Sequence, residues 1–330
     1  MTRETDPPAP DADGPPERFD VPAESAGMRL DLFLAGVLET SRAQARRLLE
    51  ASRVRVDGRA ASARDKGRAL VAGAYVEVTG FRAAEDQRIV PEPSDPKAGP
   101  IVGVLARGAG WLAVDKRAGA PVHPLVEDET GTVLNAVVSL HPEVQGVGER
   151  GLRSGVVHRL DVDTSGVLLV ATEQPSWDRL RDAFRSHRVE KVYRAIVAGT
   201  LAEALEQEVG LVVAQHKPAR VKVVPAPPRD GSVPARGVRL AVQRIRPLEA
   251  LAGATLVEIQ PRTGFLHQIR ATLAELGHPV LGDAVYGDVA GAAPRHMLHA
   301  AQVRFDEIDA SSPDPDDFSR VLSGLRITHH

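Results

Sequence analysis

The spacing of apolar residues near the start of the chain predicts a small unit of two helices followed by short strands. Apolar residues recur there at intervals of three and four positions, which places them on one face of a helix: Leu30, Phe33, Leu34, Val37 and Leu38. Ser41 is a suitable N-cap for a second helix. Beyond it, residues 54–78 hold strand-like pieces and the turn sequence Asp57-Gly58. We therefore expect a folded unit over residues 26–80.

Further along, apolar and polar residues alternate with a period of two, which predicts the strands of a second unit. The strand-like stretches are residues 111–116, 189–197 and 255–259. Between them, Ser176 is expected to cap a helix, and residues 267–276 have the period of another helix that ends at Gly277. The acidic residues 306–317 are expected to form a loop. The second unit should cover residues 101–328.

Composition separates the two units. Residues 1–24 contain six prolines and seven acidic residues, so a leader over residues 1–25 is expected to be disordered. Residues 81–100 contain four prolines among charges and are expected to form a linker. The whole chain has a net charge of −3, yet residues 28–78 hold ten Lys or Arg and six acids. Since a partner responds to the local surface, the first unit suits an anionic partner.

Several classes of protein are excluded by what the chain lacks. Its 330 residues include no cysteine, which excludes disulfides, thiol nucleophiles and cysteine-based zinc sites. No apolar run approaches the roughly 18 residues of a membrane span. The first residues lack the basic and apolar pattern of a secretory signal. A cytoplasmic protein that does not bind a membrane is therefore expected.

Charged residues interrupt two apolar runs between Gly155 and Ala171. The runs, residues 156–157 and 167–171, predict buried strands joined by a polar loop. The loop carries His158, Arg159, Asp161, Asp163, Thr164 and Ser165. Chemistry is often found on loops that rigid strands hold. An ordinary polar turn explains the loop equally well, because Asp, Ser and Gly are common turn residues.

Three kinds of chemistry compete for this loop. Asp161, Asp163 and Thr164 match a short phosphatase pattern in which a carboxylate attacks phosphorus beside magnesium, but no paired downstream acids complete the metal site. Ser165 could be a hydrolase nucleophile, yet the Gly-x-Ser-x-Gly elbow is absent. Alternatively, Asp161, kept ionised by Arg159 or Arg270, could attack a carbon atom without a metal.

The motifs around this loop resemble those of the RluA-type pseudouridine synthases. The matching stretches are His158-Arg159-Leu160-Asp161-x-x-Thr164-Ser165-Gly166, Lys191-x-Tyr193, Thr263-Gly264-x-x-His267-Gln268-Ile269-Arg270, residues 277–287 and Leu298-His299-Ala300. Residues 28–80 resemble an S4 RNA-binding module, through the motifs Arg29-Leu30-Asp31, Ser41-Arg42-Ala43-Gln44-Ala45 and Arg53-Val54-Arg55-Val56-Asp57-Gly58. The resemblance implies an α+β fold, in which a small S4 domain precedes a catalytic domain with a central mixed or antiparallel sheet and a cleft.

The resemblance also implies an isomerase mechanism that consumes no cofactor and needs no metal. Asp161 would be the nucleophile that helps to break the glycosidic bond of a uridine. Tyr193 would lie against the uracil and help with the proton lost from its C5 atom. Arg270 would pair with Asp161. Arg159 would fill the gap that the flipped nucleotide leaves in the RNA stack.

Further residues are implied to contact substrate or RNA: His158, Thr164, Lys191, His267 and Gln268 in the catalytic domain, and Arg42, Arg46 and Arg53 in the S4 module. His158, Thr164 and Ser165 are also candidates for supporting the loop. The partner would be RNA, especially large-subunit ribosomal RNA, and not DNA. The protein is expected to act as a monomer.

The chain departs from the family pattern at three places. Arg117-Ala118 replaces a common Pro-x pair, Phe265-Leu266 stands where Arg and Thr are common, and residues 235–239 lose an Ala-x-Thr-x-aromatic pattern. These changes affect expected RNA contacts and not the nucleophile. The alternative from another functional class is a non-catalytic RNA-binding protein that keeps the fold.

Overall fold

The computed structural model describes residues 16–92, 102–216, 218–227, 237–287 and 293–326. The chain divides into two compact units, with the boundary after Gln87. The first part of the leader, Ala235 and Arg236 of the divergent stretch, and the terminal residues His329 and His330 lie outside the described residues.

The N-terminal unit contains the two predicted helices and a four-stranded antiparallel sheet. Its elements are β1 (Glu17–Asp20), α1 (Leu30–Val37), α2 (Arg42–Glu50), β2 (Val54–Val56), β3 (Arg59–Ala61) and β4 (Tyr75–Val78), and the strand order is β1-β4-β2-β3. Leu30 and Leu34 are fully buried, as the spacing predicted. Ser41 caps α2 by accepting a hydrogen bond from the amide of Gln44 at 3.2 Å.

The prediction of a disordered leader up to residue 25 is wrong at its end. Residues 17–20 form β1, which pairs with β4, and Val21 is only 2% exposed. Phe19 packs against the same core. The proline-rich composition concealed these two apolar residues, of which Phe19 lies in β1 and Val21 directly follows it.

The C-terminal unit is built on one large sheet with helices packed against it. Its strands are β5 (Val102–Gly108), β6 (Trp111–Lys116), β7 (Ser165–Ala171), β8 (Glu190–Ala198), β9 (Leu205–His216), β10 (Ala219–Val224), β11 (Arg239–Leu251), β12 (Ala254–Pro261), β13 (Leu298–Phe305) and β14 (Ile308–Ser311). Its helices are α3 (Val133–Leu140), α4 (Gln174–Arg185), α5 (Gln268–Glu275) and α6 (Asp316–Leu325).

These ten strands form a mixed sheet in which β7 and β13 run parallel to each other. The order is β10-β9-β11-β12-β8-β13-β7-β6-β5, and β14 pairs with β13. Neighbours are antiparallel except β13 and β7. Every residue of β7 is buried. Leu168 and Val170 join the core that includes α3, whereas Val167 and Leu169 join the core that includes α4. Burial on both faces explains the continuous apolar run in the sequence.

The segment expected to be a linker partly belongs to the C-terminal unit. Ile89 is 2% exposed, and its amide donates to the side chain of Gln145 at 2.9 Å. Asn135 donates to the carbonyl oxygen of Val90 at 2.8 Å. Residues 93–101 are outside the described ranges. Ile89, an apolar residue close to the prolines, anchors this segment in the core of the C-terminal unit.

Three local predictions differ from the structure. Residues 156–157 do not form a strand, because Val156 makes only an isolated bridge to β7. Helix α4 begins at Gln174, before Ser176, and Glu173 holds the N-cap position without a side-chain capping bond. Pro175 is compatible with the first helical turn. The acidic stretch 306–317 is not one loop, because it contains β14 and the start of α6. The strand β6 and the helix α5 lie where the sequence predicted them.

Candidate active site

A cavity of about 580 Å³ in the C-terminal unit brings together the three motifs that the sequence singled out. It is lined by the loop before β7, by β8, and by the loop that connects β12 with α5. The expected site residues that line it are His158, Arg159, Asp161, Thr164, Lys191, Tyr193, His267, Gln268 and Arg270. Residues separated by more than a hundred positions therefore share one recess.

The close approach of β7 and β13 positions the loop at the middle of the sheet. Gly166 has a φ of +114° and is aligned with Ala300 of β13. A Cβ atom at Gly166 would lie 2.1 Å from the carbonyl oxygen of Ala300. Only glycine permits both this backbone conformation and this spacing. This close contact between the two backbones therefore fixes the position at which the loop joins β7.

Two cationic side chains bind the backbone of the loop. Lys116, which is 1% exposed, donates to the carbonyl oxygens of Val162 at 2.7 Å and Thr164 at 2.8 Å. Arg295 donates to the carbonyl oxygen of Asp163 at 3.0 Å. Burial lowers the pKa of Lys116 to about 7. Three successive carbonyl groups therefore accept hydrogen bonds from the side-chain nitrogens of Lys116 and Arg295, which holds the backbone next to Asp161 in place.

His158 anchors the start of the loop. Its Nε2 atom accepts a hydrogen bond from the amide of Leu169 at 2.9 Å, and its ring stacks on Phe184 with centroids 4.4 Å apart. Burial lowers the pKa of His158 to about 3, so the ring is neutral. His158 lines the cavity, yet one ring nitrogen is already engaged inside the protein.

Thr164 and Ser165 make buried hydrogen bonds to two histidines. The Thr164 hydroxyl lies 2.8 Å from Nε2 of His296, and the Ser165 hydroxyl lies 3.0 Å from Nδ1 of His299. His299 donates through Nε2 to a carbonyl oxygen, so its Nδ1 accepts the proton of Ser165. Ser165 is 2% exposed, His299 is 0% exposed, and neither lines the cavity. The serine-hydrolase alternative is wrong because this Ser–His pair is sealed in the core.

Arg270 connects Asp161 with a second carboxylate that the sequence analysis did not assign. Its Nη1 atom donates to Oδ2 of Asp161 at 2.8 Å, while Nε and Nη2 donate to the two oxygens of Asp283 at 2.7 and 2.8 Å. The side chains of Arg270, Asp161 and Asp283 are 6%, 20% and 0% exposed. Burial acts to raise the pKa of Asp283, but hydrogen bonds and charge from Arg270 hold that pKa below its usual value.

Lys191 and Tyr193 lie two residues apart on β8 and both line the cavity. Lys191 donates to the carbonyl oxygen of Thr263 at 3.0 Å, and burial lowers its pKa to about 8. Burial and the negative charge of Asp161 raise the pKa of Tyr193, so its phenol stays protonated near neutral pH. The strand thus supplies an aromatic wall and a cation to the same recess.

Gln268 is the residue that ties the β12–α5 loop to the sheet. Its Oε1 atom accepts hydrogen bonds from the hydroxyl of Thr263 at 2.9 Å and from the amide of Phe265 at 3.2 Å. Its Nε2 atom donates to the carbonyl oxygen of Val242 at 3.3 Å. The side chain is buried. Gln268 therefore lines the cavity with its hydrogen-bonding groups already used within the protein.

His267 and Arg159 differ in their environments. His267 precedes α5 in a left-handed conformation with a φ of 51°, and its Nε2 atom lies 3.9 Å from Oδ2 of Asp161. Arg159 is exposed at the rim of the cavity. Asp163, the second acid of the phosphatase pattern, is exposed and does not line the cavity. The acid that shares Arg270 with Asp161 is Asp283 and not Asp163.

In the N-terminal unit, two of the arginines expected to contact RNA, Arg42 and Arg46, lie with Arg29 around a buried carboxylate. The guanidinium groups that donate to Asp31 are those of Arg29, Arg42 and Arg46, at 3.0 to 3.5 Å. Asp31 is fully buried, whereas the three arginines keep 40 to 51% of their side chains exposed. Arg53 instead donates to the carbonyl oxygen of Gly80 at 2.8 Å. One buried negative charge thus groups three half-exposed positive ones.

The residues that sequence reasoning missed are those whose partners are distant in the chain. Asp283 lay within a recognised stretch, Gly282-Asp283, but only the fold reveals its pairing with Arg270. Lys116 ends a strand in which nearly all residues are buried, so alternation gave no sign of its contacts. Tyr286 lies in the recognised stretch 277–287, for which no role was predicted, and its hydroxyl lies 3.0 Å from Nδ1 of His267.

None of the helices in the described ranges is long and apolar enough to cross a membrane.

Comparison with known proteins identifies the family of this chain. The sequence profile described as RNA pseudouridylate synthase matches residues 110–275. The chain is 30% identical to ribosomal large subunit pseudouridine synthase D of Neisseria meningitidis over 93% of this chain and 81% of that protein. It is 31% identical to the protein of the same name from Pseudomonas aeruginosa, over 93% and 95% of the two chains.

Two solved human structures share the fold. RNA pseudouridylate synthase domain containing 4 matches with a TM-score of 0.55 and 23% identity, over 69% of this chain and 95% of that one. RNA pseudouridylate synthase domain containing 1 matches with a TM-score of 0.53 and 25% identity, over 68% and 86%. The expected α+β fold with a large central sheet is confirmed. The phosphatase and non-catalytic alternatives are wrong, because the matching profile and the relatives agree that this chain belongs to the RNA pseudouridylate synthase family and is an isomerase.

Proposed function

We propose that this enzyme converts specific uridines of large-subunit ribosomal RNA into pseudouridine, with Asp161 as the nucleophile. The observation that carries the proposal is the carboxylate of Asp161, which lies in the cavity with one oxygen bonded to Arg270 and with Tyr193 lining the same recess. The names of the bacterial relatives support the choice of RNA.

The reaction is an isomerisation, in which bonds change at one sugar carbon and one proton is lost from C5 of the uracil. The bond from uracil N1 to the sugar breaks, the base turns, and a bond from C5 to the sugar forms. The proton on C5 leaves, and N1 gains one. Asp161 bonds to the sugar carbon as N1 leaves, and its carboxylate is released again when C5 bonds to that carbon. Arg270 orients this carboxylate while leaving the side chain 20% exposed.

Tyr193 packs against the uracil as a neutral phenol. Its raised pKa disfavours the phenolate near neutral pH. An aromatic wall can stabilise a base that has left the RNA stack, and stacking contributes about 1–3 kcal/mol per base. Tyr193 therefore orients the base, and we do not assign it the removal of the C5 proton.

Cationic groups around the opening attract the RNA backbone. Arg159 and Arg185 are exposed cavity residues, and Arg181 and Lys191 also line the recess. Extruding a nucleotide costs a few kcal/mol. Arg159 offsets part of that cost by occupying the gap in the stack, where its planar guanidinium can lie against the neighbouring bases.

The N-terminal unit adds RNA affinity as an S4-like module. Three half-exposed arginines grouped by Asp31 carry a net charge of +2, which suits a phosphate backbone. The protein acts in the cytoplasm as a monomer, without a cofactor or a metal, and recognises RNA and not DNA.

A tritium-release assay tests the catalytic proposal. Ribosomal RNA transcripts labelled with tritium at uridine C5 should release label when incubated with the enzyme. Asp161→Asn should abolish release, whereas Asp163→Asn, which changes an exposed carboxylate two positions away, should leave it within about twofold. Release that persists in Asp161→Asn would refute the mechanism. Absence of release from every RNA by the unmodified protein would refute the proposed substrate class.

A second experiment tests the RNA-binding role of the N-terminal unit. Removal of residues 1–87 leaves residues 88–92, which pack on the catalytic unit, in place. The truncated protein should bind ribosomal RNA more weakly, with a smaller slope of log affinity against log salt. An unchanged slope would show that this unit does not contact the phosphate backbone.

A further inference from the structure

His267 is a largely enclosed polar residue at the candidate site, with 11% of its side chain exposed, to which the reaction above gives no role. Its Nδ1 atom lies 3.0 Å from the hydroxyl of Tyr286, and its Nε2 atom lies 3.9 Å from Oδ2 of Asp161. The imidazole thus stands between a phenol on one side and the reacting carboxylate on the other.

The hydrogen bonds of Tyr286 favour a proton on one nitrogen of His267 over the other. The Tyr286 oxygen accepts a hydrogen bond from the amide of Val221 at 2.7 Å. A phenol that accepts one bond has its own hydrogen to donate, and Nδ1 of His267 is within reach. Nδ1 is then the acceptor, and Nε2 carries the proton.

The other end of the ring requires the same tautomer. If Nε2 were unprotonated, its lone pair would face the carboxylate of Asp161, which is unfavourable. Burial lowers the pKa of His267. The charges of Arg270 and Arg159 act in the same direction, while those of Asp161 and Asp283 oppose it, and the net lowering makes the neutral ring the main form at pH 7. Both neighbours therefore favour a neutral imidazole with an N–H group on its cavity side.

The backbone of His267 supports a functional orientation. A non-glycine residue in the left-handed region costs about 1–2 kcal/mol and is uncommon. His267 adopts this conformation at the position directly before α5. Strained backbone of this kind is concentrated at functional sites. Here it presents the imidazole to both Tyr286 and Asp161.

We propose that His267 is a positioning residue for the isomerisation: Tyr286 fixes it as the Nε2–H tautomer, and it donates toward the same Asp161 oxygen that Arg270 binds. The contacts from Arg270 and His267 both fall on Oδ2, which leaves Oδ1 as the attacking oxygen. This inference rests on the proposed role of Asp161. At 3.9 Å the N–H is too far for a direct bond, so the donation forms when RNA fills the cavity and closes the gap.

Two substitutions at His267 separate this role from a structural one. His267→Gln keeps an amide N–H near the position of Nε2, whereas His267→Asn reaches only to the level of Nδ1. Asparagine tolerates the left-handed conformation better than glutamine. A structural role therefore predicts that the Asn variant is the more active, and the positioning role predicts the reverse. We expect kcat for tritium release in His267→Asn to fall about tenfold below that of His267→Gln, with similar KM.

The tautomer itself can be observed without any substrate. In protein labelled with ¹⁵N at histidine, the ring nitrogens of His267 should show the shifts of a protonated Nε2 and an unprotonated Nδ1 near neutral pH, assigned by loss of the signals in His267→Gln. In Tyr286→Phe the signals should move toward a mixture of tautomers, and kcat should fall while KM changes little.

The outcomes distinguish this inference from the proposed function. If the unmodified protein releases no tritium, the proposed function fails, whereas the ¹⁵N shifts still test the tautomer. An Nδ1–H pattern in the unmodified protein would overturn the inference even if the enzyme is active. So would an Asn variant that is as active as the Gln variant.

Discussion

The buried carboxylate of Asp283 provides a quantitative test of the site. Asp283→Asn preserves the shape of the side chain and removes one negative charge. In the unmodified protein the carboxylate accepts two bonds from Arg270, together with amide bonds from Val285 at 2.9 Å and Tyr286 at 3.1 Å. Asparagine can still accept the two amide bonds through its oxygen. Its NH₂ group would then face a donor of Arg270, so the paired contact is lost.

The expected loss in the free energy of unfolding is about 3 kcal/mol. Removing one partner of a buried ion pair typically costs about 3–5 kcal/mol, and the lower end applies because Asp161 still pairs with Arg270. For a unit of this size, 1 kcal/mol corresponds to a shift in Tm of roughly 2–4 °C. Asp283→Asn should therefore lower the Tm of the C-terminal unit by about 6–12 °C at pH 7.

The sign of the pH dependence follows from the direction of the pKa shift. The pKa of Asp283 is lowered in the folded protein. Its stabilisation is therefore complete above the unfolded pKa, about 4, and is lost as the pH falls through the folded pKa. The difference in Tm between the unmodified protein and Asp283→Asn should be constant from about pH 5 to 7 and should narrow below about pH 4.

Differential scanning calorimetry across this pH range is the measurement. Asp309→Asn is the matched control, because its pair with Arg304 is exposed, with side chains 62% and 51% accessible. Such pairs contribute about 0–1 kcal/mol, so the control should lose no more than about 4 °C. If Asp283→Asn loses no more than the control, or if its deficit is the same at pH 3.5 as at pH 7, the account of this ion pair is incorrect.

Three other substitutions test residues that stabilise the two units. Lys116→Met deprives buried carbonyl groups of their cationic donor and should lower the free energy of unfolding by about 2–4 kcal/mol, measured by urea denaturation. Asp31→Asn leaves three arginines around a neutral group and should increase amide exchange in α1 and α2, measured by hydrogen–deuterium exchange. Gly166→Ala places Cβ 2.1 Å from the carbonyl oxygen of Ala300 and should prevent folding as judged by circular dichroism, whereas Gly103→Ala, which meets only one atom at 3.9 Å, should be tolerated.

Local patterns predicted the parts of the fold that depend on neighbouring residues. The spacing of Leu30 and Leu34 predicted α1, and Ser41 was identified as the cap of α2, because periodicity and capping act within one or two turns. The cap of α4 was missed because Pro175 moved the helix start two residues upstream of Ser176. Composition failed at β1, because Phe19 and Val21 join the core of the unit although the sequence around them is rich in proline and acidic residues.

The candidate site was predictable as a set of motifs but not as an electrostatic arrangement. The resemblance named Asp161, Tyr193 and Arg270, and the structure brings them to one cavity. It gave no partner for the far side of Arg270 and no support for the loop, since Asp283 and Lys116 act through contacts across the fold. Such contacts depend on sheet topology, above all on the parallel step between β7 and β13.

The arrangement around Arg270 explains how a carboxylate can be both held and reactive. If Arg270 faced Asp161 alone, all of its donors could converge on that carboxylate, and the buried pair would be neutral. Asp283 instead occupies Nε and Nη2, so Asp161 receives one donor on one oxygen. Asp161 is also the most exposed of the three side chains, at 20% accessible against 6% and 0% for Arg270 and Asp283. The fully buried Asp283 thereby lets Arg270 orient Asp161 while binding only one of its oxygens, which is what the proposed role of Asp161 as the nucleophile requires.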